Sequence, residues 1–357
     1  MEFRPIDFSR DHNAHKNIIE WWYFNGHLQD KNGNPYSFMN CLFQADLKRV
    51  ELPFLRKIPF KKYAANFLPY VHFAHSIISD IKRQKNYKEV QNISLVSRDS
   101  FGKGNLFINY IDPFIVRGYV NNEIVQTGPE TFRLKTETID LMLTARKPVL
   151  LEQGKGFIDV CGRKSYYYSF THLHAKGTIT VENKTIEVEG KVWMDHQWAD
   201  VAYSKDKWTW FSFQLENGLD IMCAEYRDKK EATLLVDMID ANGKAEHFNR
   251  LTVTPGKELW KSKNTRAEYP LNWTIEIPDK DILIEARSTM KDQEMIYGAI
   301  NYWEGPLSVT ATINGEKIKG VGFQELVGYP SDYNFVMLAM KDLQKKLGRK
   351  IFPPAKV

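Results

Sequence analysis

The chain has 357 residues, of which 43% are hydrophobic, 13% aromatic and 26% charged; this is the composition of a folded globular protein and excludes wholesale disorder. At roughly 100–200 residues per domain, the length suggests two domains. The net charge is +5, but residues 48–63 and 341–357 each carry six bases against one acid, so no basic surface runs through the whole molecule and a nucleic-acid binder is not expected.

Residues 1–16 are polar and lack the apolar stretch of a signal peptide. Trp21–Leu28 and Tyr36–Gln44 flank the turn-rich stretch 30–35 and read as a hairpin. Residues 46–75, basic and broken by proline, read as an insertion. Within it the bases of 48–63 alternate with Leu52, Phe54, Leu55, Ile58 and Phe60, a pattern suited to peripheral contact with an anionic membrane, as is the basic tail at 341–357. The longest uncharged run, 63–79, contains Asn66, Pro69, His72 and His75 and falls short of a membrane span, so a cytoplasmic protein is expected. Tyr70–Ile81 has a weak helical pattern.

Further strands are expected at Leu106–Tyr110, Ile139–Ala145, Ile179–Val181 and Ile186–Met194. A second hairpin joins Trp208–Leu215 to Leu219–Tyr226 through Glu216-Asn217-Gly218. Leu234–Asp240, Trp273–Ile277, Ile282–Ala286 and Val309–Ile313 complete the strand set, and Phe335–Leu347 has helical spacing. Many short strands with little helix between them predict an all-β barrel or sandwich rather than βαβ units.

The two hairpins resemble each other. Trp21, Phe24 and Leu28 match Trp208, Phe211 and Leu215 at an offset of 187, while Gly190, Trp193 and Asp195 match Gly320, Phe323 and Glu325 at an offset of 130. This predicts two related β-domains, 1–199 and 200–333, the first enlarged by the insertion, followed by a basic helix and tail at 334–357.

The densest cluster of chemically useful residues is Trp193-Met-Asp-His-Gln-Trp198. Extending the alternation of Ile186–Met194 places His196 on the apolar face and Asp195 on the polar face beside Trp193. A carboxyl among indole rings loses solvation and its pKa rises, which suits a proton donor; a structural aspartate accepting backbone N–H bonds fits the residues equally. In Glu20-Trp21-Trp22-Tyr23-Phe24 the aromatics cover both strand faces, and Glu20 reads as a solvated or hydrogen-bonded end residue. The pairs His72/His75 and His172/His174 would share a helix face and a strand face, but neither has a third ligand nearby, so no metal is expected. No P-loop, Gly-x-Ser-x-Gly elbow or dinucleotide fingerprint occurs, and no cofactor is expected. Cys41, Cys161 and Cys223 read as reduced, buried thiols.

Taken together, Glu20-Trp-Trp-Tyr-Phe-Asn-Gly-His-Leu28, Ala74-His75, Tyr166-Tyr-Tyr-Ser169, Trp193-Met-Asp-His-Gln-Trp198, Trp208-Thr-Trp210-Phe211, Tyr302-Trp-Glu-Gly305 and the block 322–329 resemble the AttH / carotenoid 1,2-hydratase lipocalin-like family. The resemblance implies two tandem lipocalin-like β-barrels around a hydrophobic pocket and a hydratase-like reaction on an apolar isoprenoid. It implies Asp195 and His196 as the acid and its relay. The pocket residues it implies are Glu20, Trp21, Trp22, Tyr23, His75, Tyr167, Trp193, Trp198, Trp210 and Glu325. Relatives of this kind also act as pericyclic cyclases, and a non-catalytic carrier of a hydrophobic ligand has the same fold.

Overall fold

The computed structural model describes residues 2–50, 66, 69–96, 105–111, 122–201, 207–297, 300–332, 334 and 337–338. The expected membrane-contact segment lies outside these residues apart from its first three positions, as does the expected C-terminal helix apart from Met337 and Leu338. Among the described residues, no helix is long and apolar enough to cross a membrane.

Twelve strands form the first sheet. They are β1 (Ile19–Asp30), β2 (Pro35–Asp46), β3 (Tyr70–Asp80), β4 (Lys85–Val96), β5 (Phe107–Ile111), β6 (Asn122–Gly128), β7 (Thr131–Thr136), β8 (Ile139–Ala145), β9 (Leu150–Leu151), β10 (Phe157–Val160), β11 (Arg163–Val181) and β12 (Lys184–Ala199). The pairings run β11-β12-β1-β2-β3-β4-β5-β6-β7-β8, and β8 also pairs β11 over Leu173–Ile179.

The second half supplies β13 (Lys207–Leu215), β14 (Asp220–Arg227), β15 (Ala232–Ile239), β16 (Ala245–Phe248), β17 (Thr252–Pro255), β18 (Leu259–Lys261), β19 (Glu268–Pro270), β20 (Asn272–Ile277), β21 (Ile282–Ser288), β22 (Glu294–Tyr297), β23 (Ile300–Ile313) and β24 (Glu316–Val327). Its main sheet runs β16-β15-β14-β13-β24-β23-β21-β20-β17 and stays open between β16 and β17. The tandem all-β architecture expected from the sequence is therefore present.

The internal repeat is visible in the strand register. Tyr23 faces Asp195 across β1 and β12, and Trp210 faces Glu325 across β13 and β24. The equivalence extends one strand further, since Ser169 pairs Asp195 as Glu304 pairs Glu325.

Alternation builds the main cores from these strands. Inward residues such as Trp22, Phe24, Leu42, Met194 and Trp198 fill the first sheet, while Phe211, Phe213, Trp273 and Trp303 fill the second. The opposite faces of the same strands meet each other: Tyr23, Cys41, Tyr167 and Trp193 pack with Trp210, Met222, Tyr302 and Phe323. Each large apolar side chain buried there contributes roughly 1.5–3 kcal/mol relative to exposure.

Tyr70–Asp80 is a strand rather than the expected helix. It pairs β2 along its whole length, and both of its faces are covered, so its apolar run carries no clean period. Its first residues lie inside the stretch that reads as an insertion. His72 and His75 consequently point to opposite faces, His72 toward Gln44 Oε1 (3.0 Å) and His75 toward Tyr302. His172 and His174 are likewise separated, approaching Asp220 and Glu189.

Gly190 shows how tightly the ladder closes: a Cβ there would lie 2.0 Å from the His27 carbonyl oxygen. Gly190→Ala is expected to cost about 1–3 kcal/mol, because the clash is with backbone that cannot rotate away. Its repeat equivalent Gly320 meets the Gln214 carbonyl oxygen at 2.7 Å, so Gly320→Ala should cost less. Urea midpoints of the two variants check the order.

Candidate active site between the two sheets

The end of β12 sends alternate side chains in two directions. Met194 and Trp198 join the first sheet's interior, whereas Trp193 joins the contact between sheets. Asp195 shares the outward face of Trp193, which is no longer a solvent face because the second sheet covers it. Its side chain is buried, with three donors converging on the carboxylate. Tyr167 OH donates to Oδ2 (2.7 Å), and Ser169 Oγ and Trp193 Nε1 donate to Oδ1 (2.6 Å each). Trp210 Nε1 donates in turn to Tyr167 OH (3.0 Å), tying the second sheet to this carboxyl. Burial pushes Asp195 up to about 6, although all three hydrogen bonds oppose the rise.

Ser169 extends the network. Its Oγ also lies 2.6 Å from Glu152 Oε1, on the short 3₁₀ turn Glu152–Gly154 that follows β9. A hydroxyl has one proton, so it cannot donate to both carboxyls at once. One of them must carry a proton of its own, and Glu152 is the stronger candidate. Burial raises it well above the ordinary glutamate range, and the nearby Asp237 raises it further. Glu152–Ser169–Asp195 is therefore a chain along which one proton can pass.

A second carboxyl pair faces this one from β23 and β24. Glu304 and Glu325 are direct cross-strand partners and hydrogen-bond each other. Burial, and then Glu325, raise Glu304 well above its usual value; burial pushes Glu325 up to about 7, against a hydrogen bond from Trp208. Tyr23 OH reaches across from the first sheet to Glu304 Oε2 (2.7 Å). Two carboxyls this close share one proton near neutral pH. His75, pushed down to about 3 by burial and hence neutral, meets Tyr302 OH beside them. Glu325, Trp21, Phe43 and Trp208 keep part of their surface accessible at the edge of this contact.

The structure thus brings together Trp21, Tyr23, His75, Tyr167, Trp193, Asp195, Trp210 and Glu325 from the expected set. It separates four others. Glu20, Trp22, His196 and Trp198 lie within the first sheet, where His196 Nε2 meets Glu20 Oε1 (2.8 Å) and Nδ1 meets Tyr168 OH (2.9 Å). Trp22 stacks on His196 at 4.8 Å. Adjacent residues of a strand face opposite ways, so His196 does not meet Asp195, and the neighbour that Asp195 shares with another carboxyl is Ser169. Glu20 is hydrogen-bonded, as expected, but fully buried rather than solvated. Glu152 and Asp237 are not among the expected site residues, and Glu304 stands in the sequence reading only inside the block Tyr302-Trp-Glu-Gly305. Glu304 was reachable in principle as the repeat equivalent of Ser169, whereas Glu152, on an irregular turn, carries no such signal. A separate cleft of about 200 Å³, bordered by Lys207, Thr209, Arg227, Trp273 and Tyr329, contains none of these acids.

A family profile described as AttH-like matches residues 1–329. The chain belongs to the AttH-like family. Among curated proteins it is 23% identical over 203 residues to the dehydratase asqC of Emericella nidulans; the match spans 53% of this chain and 58% of that protein's length. Among solved structures, a protein from Nitrosomonas europaea described as AttH superposes with a TM-score of 0.73 at 25% identity, covering 91% of this chain and 98% of the other. Kievitone hydratase from Nectria haematococca superposes with a TM-score of 0.70 at 17% identity, covering 90% and 93%. The AttH-like tandem fold is thus shared with proteins whose sequences have diverged widely.

The raised acidity constant of Asp195 has a consequence for stability. The folded chain holds a proton that the unfolded chain releases from about pH 4, so this carboxyl's contribution falls as pH rises toward 6 and above. Asp195→Asn removes that slope. Relative to the variant, the wild type should lose about 2 kcal/mol between pH 4 and pH 7 by urea denaturation. Parallel curves would mean that Asp195 ionises normally.

Proposed function

We propose that this protein is a hydro-lyase, adding water to or removing it from an apolar, isoprenoid-like substrate held between the two sheets. The observation that carries the reading is the pair of proton-holding carboxyl centres, Asp195 and Glu304–Glu325, embedded in an aromatic contact. The likeness to the asqC dehydratase and to kievitone hydratase supports water chemistry of this kind.

Hydration of an alkene needs a proton delivered to carbon, a water to capture the cation, and an acceptor for the proton that water loses. Asp195, protonated through Ser169 from Glu152, delivers the first proton to the alkene carbon. The faces of Trp193, Trp210 and Tyr167 stabilise the resulting tertiary cation, each by about 2 kcal/mol when desolvated. The ionised member of the Glu304–Glu325 pair accepts a proton from the attacking water, and the alcohol forms. Dehydration runs the same steps in reverse, with the same atoms and no external oxidant.

Asp195→Asn should lower turnover by about 10²–10⁴-fold and Glu325→Gln by a similar factor, without loss of fold by circular dichroism. The assay incubates the protein with a panel of polyprenoid alkenes in ¹⁸O-labelled water and reads product mass. An isomeric product with no gain of water points instead to a pericyclic cyclase working by proximity. An unmodified lipid that copurifies and is never turned over points to a carrier. Full activity in Asp195→Asn removes that residue from the mechanism.

A further inference from the structure

On the far face of β12, inside the first sheet, a second cluster has an independent chemistry. His15 Nδ1 and His196 Nε2 converge on one oxygen, Glu20 Oε1, at 2.7 and 2.8 Å. One donor atom from each of the three residues lies within 4.8 Å of the others. Glu20 is fully buried, and among the described residues no lysine or arginine pairs with it. Its remaining oxygen accepts from the His15 backbone N–H (2.7 Å) and, at 3.4 Å, from Gln44 Nε2.

The far nitrogens of both imidazoles are held as the outer partners of metal ligands usually are. His15 Nε2 meets Asp11 Oδ1 (3.2 Å), and Asp11 is itself fixed by Arg4 NH1 and NH2 (2.6 and 2.9 Å) and by the Asp7 N–H (2.8 Å). His196 Nδ1 meets Tyr168 OH, whose oxygen also meets His12 Nδ1 (2.7 Å). Stacking fixes the ring planes: His15 lies on Trp198 at 4.1 Å and 8°, and His196 lies on Trp22.

We propose that His15, Glu20 and His196 form a site for one first-row transition dication of the Zn²⁺ type. Zinc bonds of about 2.0–2.1 Å at tetrahedral angles place donor atoms roughly 3.3 Å apart, so the three side chains need move by no more than about an ångström to surround an ion. Two nitrogens and one carboxylate oxygen form a borderline donor set that favours zinc or cobalt over calcium or magnesium. Once bound, the ion takes the place of the His15 proton that pairs with Glu20 and fastens the N-terminal segment carrying His15 to β1 and β12. The site is separate from the acid cluster, so it stands or falls independently of the hydro-lyase reading.

The test is titration of the chelator-treated full chain with Zn²⁺ and with Co²⁺, followed by calorimetry and by visible absorption of the cobalt form. One equivalent should bind, with the strong d–d bands of cobalt held by the three side chains and one water, and the melting temperature should rise on Zn²⁺ addition. His15→Gln alters a residue of the N-terminal segment and leaves both sheets intact; it should weaken binding at least tenfold and abolish the melting shift. Glu20→Gln should do the same, and if it fails to fold, His15→Gln decides. His174→Gln should bind as the wild type does. No binding to the wild type, or binding unchanged in His15→Gln, overturns the proposal and leaves a network held by protons alone.

Discussion

Ser169 has a single hydroxyl proton and two carboxyl oxygens at 2.6 Å, and much of the contact between the sheets follows from that shortage. Burial raises the cost of ionising either carboxyl, so one of them keeps its own proton. That burial comes from Trp193, Trp210, Tyr23 and Tyr302, which cover the acids. Trp193 and Tyr23 also donate to Asp195 and Glu304, and Trp210 donates to the Tyr167 hydroxyl that holds Asp195. The aromatic content is therefore both the wall of the site and its hydrogen-bond supply.

The repeat explains why two such centres face each other. Each half presents the same strand trio outward, and equivalent positions carry different chemistry: Asp195 and Glu325, Ser169 and Glu304, Tyr23 and Trp210, Tyr167 and Tyr302. Replacing the serine by a glutamate converts a carboxylate held by neutral donors into a carboxyl pair that shares a proton. From one backbone register the two halves thus obtain an acid tuned by hydroxyl and indole donors and an acid tuned by another acid. Asymmetry between equivalent sites thus sets two different proton affinities side by side.

How much of this was legible in the sequence depended on whether each strand had one wet face. Trp21–Leu28 and Trp208–Leu215 could be read because their hairpin turns and aromatic spacing are local signals. The alternation of Ile186–Met194 correctly set Asp195 and His196 on opposite faces, yet grouping them as one catalytic pair ignored that result. Tyr70–Asp80 defeated periodicity because it is buried on both sides, where strand and helix runs look alike. Glu152 was beyond reach for a different reason: it arrives from an irregular turn, and its partners Ser169 and Asp237 are distant in sequence. Short-range pattern locates ladders, but a proton chain built across them is a tertiary fact.

The chemistry assigned to the interface also constrains what can enter it. Asp195 and Glu325 hold protons near neutrality because burial dominates every hydrogen bond they make. A charged or heavily hydrated substrate would bring water with it, restore the solvation of both carboxylates, and lower their affinity for protons. An apolar substrate does the reverse, displacing whatever solvent reaches Trp21, Trp208 and the accessible side of Glu325. Desolvation by a bound apolar molecule would raise the proton affinity of both carboxyls further, whereas a charged one would lower it.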